Sequence, residues 1–226
     1  MDEWLLQQSD SADQPCEFFR LWENPVNAVI IGRSSKVDQE VNKEWCSGHG
    51  IEFLRRGSGG ASVVIGPGCL MYAVVLDYRL RPELKMLDQA HQFVMQKMQQ
   101  AIRNCGVDVQ FQGTCDLTLQ GRKFSGNSLR CQRHSFLYHG TLLYDFDLST
   151  VQNCLGTPPR QPDYRAGRSH LEFVTNLPVQ VEPLSQSLLD AWGSTGNSDL
   201  SFQESTSEIE TLARDKYLSR KWTYKR

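Results

Sequence analysis

The sequence predicts an α+β fold built on a mixed, largely antiparallel sheet with flanking helices. Three observations lead there. Short β-branched and aromatic runs are separated by tight Gly, Pro and Asn turns, which favours antiparallel pairs. Helical patterns are interspersed among these runs without regular strand–helix alternation, which argues against a doubly wound parallel sheet. No internal repeat is present, so a solenoid or propeller is excluded.

Taken in order, residues 3–9 read as a helix, and "AVIIGRS" (28–34) as a buried strand with its exit loop. "VNKEWCSGHG" (41–50) reads as a helix stopped by glycine, and "IEFLRR" (51–56) as the next strand. "SVVIG" and "LMYAVVLDY" read as two strands of a hairpin across Gly66-Pro67-Gly68. The strongest helix starts at Pro82, with Leu87, Val94, Met98, Ala101 and Cys105 on one face and Gly106 as its stop. Strands follow at 107–113, at 115–126 with a turn at Gln120-Gly121, and at 135–148 with a bulge at Gly140. "LGTPPRQPDYRAGRSH" (155–170) reads as an ordered surface loop. The tail offers a helix at "SQSLLDAW", a polar spacer "GSTGNSDLS", and a terminal helix packing Ile209, Leu212 and Tyr217.

Length and charge narrow the function. At 226 residues one domain spanning 1–226 is expected, and a net charge of −2 argues against a broad nucleic-acid face. No apolar run reaches the roughly 20 residues of a membrane span, and "MDEWLLQQSD" lacks the features of a signal peptide, which together place the chain in the cytoplasm. The seven cysteines are odd in number and show no zinc-type spacing, so they read as reduced thiols.

Three clusters carry candidate chemistry. In "RRGSGG" (55–60) adjacent glycines expose backbone N–H groups beside two arginines, a pattern suited to a phosphate or carboxylate. A glycine-rich turn on an ordinary sheet accounts for that loop equally well, since it fits neither the P-loop nor the dinucleotide fingerprint. "DLTLQGRKFSGNSLR" places Lys123 at a strand end beside a small loop, Ser125-Gly126-Asn127. "YHGTLLYDFDL" inserts His139-Gly140-Thr141 into an apolar strand, where glycine is unfavourable unless a ligand or a packed group approaches the backbone.

In that order, "RRGSGGASVVIGPGCLMYAVV", "CDLTLQGRKFSGNSLR" and "HGTLLYDFDL" resemble the lipoate–protein ligase A family, within the biotin and lipoate ligases. "LWENPVNAVIIGRSSKVDQEVN", "PDYRAGRSHLEFVTNL" and "LARDKYLSRKW" extend the resemblance over nearly the whole chain. It implies a fold like the class II aminoacyl-tRNA synthetases and biotin synthetase, in a short form without the C-terminal accessory domain. The start resembles the family's first helix, so its preceding strand is expected to be missing. The resemblance further implies ATP and Mg²⁺ as cofactors, lipoate as substrate, and two steps: formation of lipoyl-adenylate, then transfer to an acceptor lysine. The implied acceptors are lipoyl domains of 2-oxoacid dehydrogenases or the glycine-cleavage H protein, with an accessory-domain protein as a further partner.

Carried over residue by residue, Arg55, Arg56, Ser58, Gly59, Gly60 and Ala61 lie along the activated acyl group and its phosphate. Tyr72, Ser125, Gly126, Asn127, His139, Gly140 and Thr141 complete the binding set. Lys123 touches the carboxylate and phosphate oxygens, and Asp116 positions the amine or holds Mg²⁺; a plain strand-end aspartate accounts for Asp116 nearly as well. The sequence departs from the commonest pattern at Ala61, in place of a third glycine, and at Ile65-Gly66, in place of a His-Asp pair. Two other readings remain. An octanoyltransferase would use Cys154 as nucleophile, although "LSTVQNCLG" lacks the Asn-Pro-Cys-Gly context. A non-catalytic subunit would bind lipoyl-adenylate or dock the acceptor.

Overall fold

In the computed structural model, residues 1–194 and 202–225 are described. The chain begins with α1 (Asp2–Ser11), followed by strands β1 (Phe18–Glu23) and β2 (Ala28–Ile31) and the short helices α2 (Val37–Glu40) and α3 (Lys43–Gly48). Strands β3 (Glu52–Arg55), β4 (Val63–Ile65) and β5 (Cys69–Asp77) lead to the long helix α4 (Leu87–Asn104). Then come β6 (Gln110–Gln112), β7 (Asp116–Leu119), β8 (Arg122–Cys131) and β9 (Ser135–Leu143). Helices α5 (Leu148–Cys154), α6 (His170–Phe173), α7 (Val181–Ala191), α8 (Phe202–Leu212) and α9 (Arg220–Thr223) complete the order. Of the expected spacer at 193–201, residues 195–201 lie outside the described residues.

Among the described residues the strands form two sheets, a six-stranded one ordered β1-β5-β9-β8-β7-β6 and a three-stranded one ordered β3-β2-β4. The pairs are antiparallel except β2 with β3, which is parallel. Period-two alternation divides the large sheet's faces. Leu70, Tyr72, Val74 and Leu76 of β5 pack with Phe136, Tyr138 and Leu142 of β9 against Val94, Met95, Met98 and Ile102 of α4 and Leu184 and Leu188 of α7. On the opposite face Ala73, Val75 and Leu137 pack under Trp4, Leu5 and Leu6 of α1, with Ile209 and Leu212 of α8 against them. Further along that face Cys69 and Leu143 join the small sheet's Val29, Ile31 and Val64. His139 and Thr141 of β9 lie between α1 and the small sheet, which places the site there.

Several expectations need correction. The predicted hairpin across Gly66-Pro67-Gly68 does not form: β4 pairs with β2, β5 pairs with β1 and β9, and the turn carries the chain between the two sheets. Strand β1 was not predicted, because its residues are half-buried at the sheet edge and carry no clean alternation. Helix α4 starts at Leu87, after a 3₁₀ turn over Pro82–Lys85. Gly140 is not a bulge, since its register with both neighbours is unbroken. Ser125-Gly126-Asn127 is not a loop but part of β8, and the irregularity lies in the β7–β8 pairing between Leu117 and Thr118. The turn at Gln120-Gly121 is as expected, with φ of 51° and 74° at its two residues.

Candidate active site

A cavity of about 390 Å³ opens on the face between α1 and the small sheet, within the size of small-molecule sites. Its apolar wall comes from Ile30, Val63, Met71, Leu143, Val151 and Phe173. Its polar wall brings together Arg56, the 60–62 turn, Lys123, Ser125, Gly126, Asn127, His139, Gly140 and Thr141. Three sequence-distant clusters thus converge on one surface.

The glycine loop is held from behind. Arg56 donates to Ile30 O at 3.0 Å, Ala61 O at 2.9 Å and Gly59 O at 3.1 Å, so its guanidinium ties the loop's carbonyls together. Burial pushes its pKa down to about 10. Gly32 is required for this closure, because a Cβ there would stand 1.7 Å from Gly60 O. Buried Glu40 fixes the far side, accepting from Ser62 N at 2.7 Å and Ser62 Oγ at 2.9 Å. Ser58 is 2% exposed, with its Oγ 2.5 Å from His139 Nε2, and Ser128 Oγ donates to Gly59 O at 3.0 Å.

Arg55, expected beside the substrate, is placed elsewhere. Its side chain is buried and donates to Gly32 O at 2.7 Å, Ser35 O at 2.8 Å and Thr223 O at 2.9 Å. Trp222 Nε1 returns a 2.7 Å bond to Arg55 O. On β3, alternation sends Arg55 under the loop, where it clasps α9.

Lys123 crosses the cavity face of β8 with Nζ 2.7 Å from Asp116 Oδ1. Gly126 makes room for it: a Cβ there would meet Lys123 Cε at 2.9 Å and Nζ at 3.0 Å. Asp116 also accepts from Tyr164 Oη at 2.7 Å, so both carboxylate oxygens are engaged. Among the described residues no three His, Cys, Asp or Glu side chains gather as a metal cage. The carboxylate beside Lys123 is already committed to Lys123 and Tyr164, and that of Asp2 to Arg20 and His139, so the donor set does not fit a resident Mg²⁺.

Gly140 is explained by its neighbours. Tyr72, Gly140 and Asn127 stand abreast on adjacent strands, and Tyr72 Oη donates to Asn127 Oδ1 at 2.5 Å. The Asn127 amide occupies the space a Cβ at 140 would take, 1.7 Å from Oδ1. Tyr72 is fully buried and serves this clamp from the core side.

Cys154 lies in the core of the small sheet, fully buried, with its thiol pushed up to about 12 by burial and by the neighbouring Cys46. Cys115 sits nearer Lys123, but burial raises its pKa to about 11 and its thiol donates to Asn127 O at 3.0 Å. Sequence reasoning missed Asp2, Trp22, Ser128 and Arg160, which also border the cavity. Their local contexts carry no signal: Asp2 precedes the predicted helix as an ordinary acid, and Trp22 falls in a stretch where no element was predicted.

The sequence model of the lipoyl protein ligase A/B catalytic domain matches residues 1–189. The chain belongs to that family. It is 26% identical to lipoate–protein ligase 1 of Staphylococcus aureus, over all of this chain and 69% of that protein. It is 26% identical to a probable lipoate-protein ligase A of Mycoplasma pneumoniae over 82% of this chain, which spans about half (53%) of that relative. It is 25% identical to the octanoyltransferase LipM of Geobacillus kaustophilus, over all of this chain and 92% of that one. Among solved structures, a bi-partite lipoate protein ligase from Thermoplasma acidophilum matches at a TM-score of 0.83 with 20% identity, over 99% of this chain and 89% of that one. A lipoate-protein ligase A bound with ATP matches at 0.79 with 19% identity, over 99% and 91%. These likenesses establish the lipoate ligase fold. No helix among the described residues of this lipoyl ligase-family chain is long and apolar enough to cross a membrane.

Proposed function

We propose that the protein is an ATP-dependent lipoate–protein ligase that activates lipoate, or octanoate, as the acyl-adenylate and transfers it to a lysine. The acceptors we assign are lipoyl domains of 2-oxoacid dehydrogenases or the glycine-cleavage H protein. A separate accessory-domain protein belongs to the proposal, because the Thermoplasma acidophilum neighbour is described as bi-partite.

One observation carries this reading: an apolar wall and a cationic, glycine-lined wall border a single cavity, and Lys123 belongs to the second. An aliphatic acid seats its chain against Ile30, Val63, Met71 and Leu143 and turns its carboxylate to the polar wall. That carboxylate attacks the α-phosphorus of ATP and pyrophosphate leaves. Two anions are brought together, so a fixed ammonium at their meeting point lowers the barrier more than it aids binding of either substrate. Asp116 holds the Lys123 ammonium by its 2.7 Å contact, and Tyr164 steadies Asp116. The glycine loop allows close approach of phosphate oxygens to the main chain. Magnesium enters as part of the nucleotide substrate.

The octanoyltransferase reading is favoured by the LipM relatives. Cys154 counts against it, since a buried thiol held far toward its protonated form is a poor nucleophile. The test is mass spectrometry of the protein incubated with lipoate or octanoate and MgATP, and separately with octanoyl acyl carrier protein. Acyl-adenylate supports the ligase. An octanoyl thioester on the protein without adenylate supports the transferase, and binding of supplied lipoyl-adenylate with none made from lipoate and MgATP supports the non-catalytic subunit.

A further inference from the structure

A single chain of hydrogen bonds runs behind the cavity from the glycine loop to helix α1. Arg56 Nε lies 3.2 Å from Ser58 Oγ, Ser58 Oγ lies 2.5 Å from His139 Nε2, and His139 Nδ1 lies 3.2 Å from Asp2 Oδ2. The other oxygen of Asp2 accepts from Arg20 at 2.6 Å, and the Arg20 guanidinium lies over the Trp22 ring at 3.8 Å. Asp2, Trp22, Arg56 and His139 all border the cavity.

The ends of this chain fix its direction. A guanidinium only donates, and an ionised carboxylate only accepts. Burial opposes the charge on Asp2, yet His139 and Arg20 outweigh it and hold the carboxyl below its ordinary range. Ser58 Oγ therefore accepts from Arg56 and sends its own proton to Nε2, while Nδ1 carries the imidazole proton toward Asp2. Each group then has a partner, and Ser58 is locked in the loop it belongs to. The constellation has the members of a Ser-His-Asp nucleophile, but with Ser58 only 2% exposed the hydroxyl serves the loop rather than the substrate.

We propose that Asp2 is a positioning residue: it selects the Nδ1–H tautomer of His139 and thereby holds the Ser58 glycine loop in its phosphate-binding form. The kinetic consequence rests on the ligase reading above; the tautomer does not. In Asp2→Asn the amide offers one acceptor and one donor. Arg20 can only donate, so the Asn carbonyl turns to Arg20 and its NH₂ faces His139. The imidazole must then switch to Nε2–H. Ser58 would be left receiving two donors, with its own proton unpartnered, and the loop would relax.

The test is long-range ¹H–¹⁵N correlation spectroscopy of the histidines at about pH 8, where an imidazole is ordinarily neutral, with His139 assigned through His139→Gln. The expected result is an Nδ1–H imidazole in the wild type and Nε2–H in Asp2→Asn. An Nε2–H or doubly protonated His139 in the wild type overturns the proposal whether or not the variant folds, as does an unchanged tautomer in a folded variant. On the same samples, kcat/KM for pyrophosphate release should fall on the order of 10²-fold through kcat, as expected for a misplaced reacting geometry. A fall confined to KM overturns the positioning role. Absence of adenylate formation by the wild type would overturn the ligase reading and leave the tautomer result standing.

Discussion

Replacing Gly140 with alanine tests the clamp that orders the centre of the site. A Cβ there would stand 1.7 Å from Asn127 Oδ1 and 2.9 Å from Gly126 O. The first distance forces Asn127 to swing away. That breaks its 2.5 Å bond from Tyr72 Oη and its own 2.6 Å bond to Cys115 O. Tyr72 is wholly buried, so no water replaces the lost partner. An orphaned buried polar group costs about 1–3 kcal/mol, and overpacking adds about 1–3 kcal/mol. Gly140→Ala should therefore destabilise by roughly 2–6 kcal/mol, a large part of the usual 5–15 kcal/mol. Urea unfolding of Gly140→Ala, Asn127→Ala and the double variant measures this. With the Asn127 amide gone, the nearest of the remaining contacts is Gly126 O at 2.9 Å, so the alanine's cost should shrink by at least about 1 kcal/mol, a coupling expected of touching residues. Additivity within about 0.5 kcal/mol would refute the clamp.

Three further outcomes follow from the same geometry. Arg55→Met should cost about 3 kcal/mol or more and speed amide exchange in α9, since the buried guanidinium bonds Thr223 and the loop carbonyls; unchanged stability with a raised KM would return Arg55 to the substrate. Cys154→Ala should keep ATP-dependent transfer per folded molecule, whereas its loss would revive the thioester route. Burial opposes the charge on Glu3, but Lys216, Tyr217 and Arg130 outweigh it and hold its carboxyl below the ordinary 4.5. Its stabilisation is complete above that value and is lost as pH falls through the lower, folded one. Glu3→Gln should therefore flatten the acid limb of a plot of urea midpoint against pH, and an unaltered limb would contradict the assignment.

The helices with long apolar periods were legible in the sequence, as α4 shows: Val94, Met98 and Ala101 stand on one face because packing rewards that spacing. Sheet membership was not. "SVVIG" and "LMYAVVLDY" carry turn residues between them, but nothing local says that β4 turns to β2 while β5 turns to β9. The convergence of Arg56, Lys123 and His139 was legible from motif order. The division of labour within "RRGSGG" was not, because adjacent strand residues point to opposite sides, and which arginine faces the cavity depends on the register of β3 against β2. Asp2 was invisible for a related reason: its partners His139 and Arg20 are distant in sequence and meet it only through tertiary packing.

The measurement that bears most directly on the proposed activity is pyrophosphate release by wild type and Lys123→Ala, with thermal unfolding followed on the same samples. Removing a preorganised charge at the reacting oxygens should slow adenylate formation by about 10²–10³ per folded molecule, and the melting transition should fall because buried Asp116 loses its 2.7 Å ion pair. Lys123→Arg should not restore the rate, because a planar guanidinium does not replace a compact ammonium in the space Gly126 leaves open. A Lys123→Ala protein that releases pyrophosphate at a similar rate per folded molecule would contradict the account.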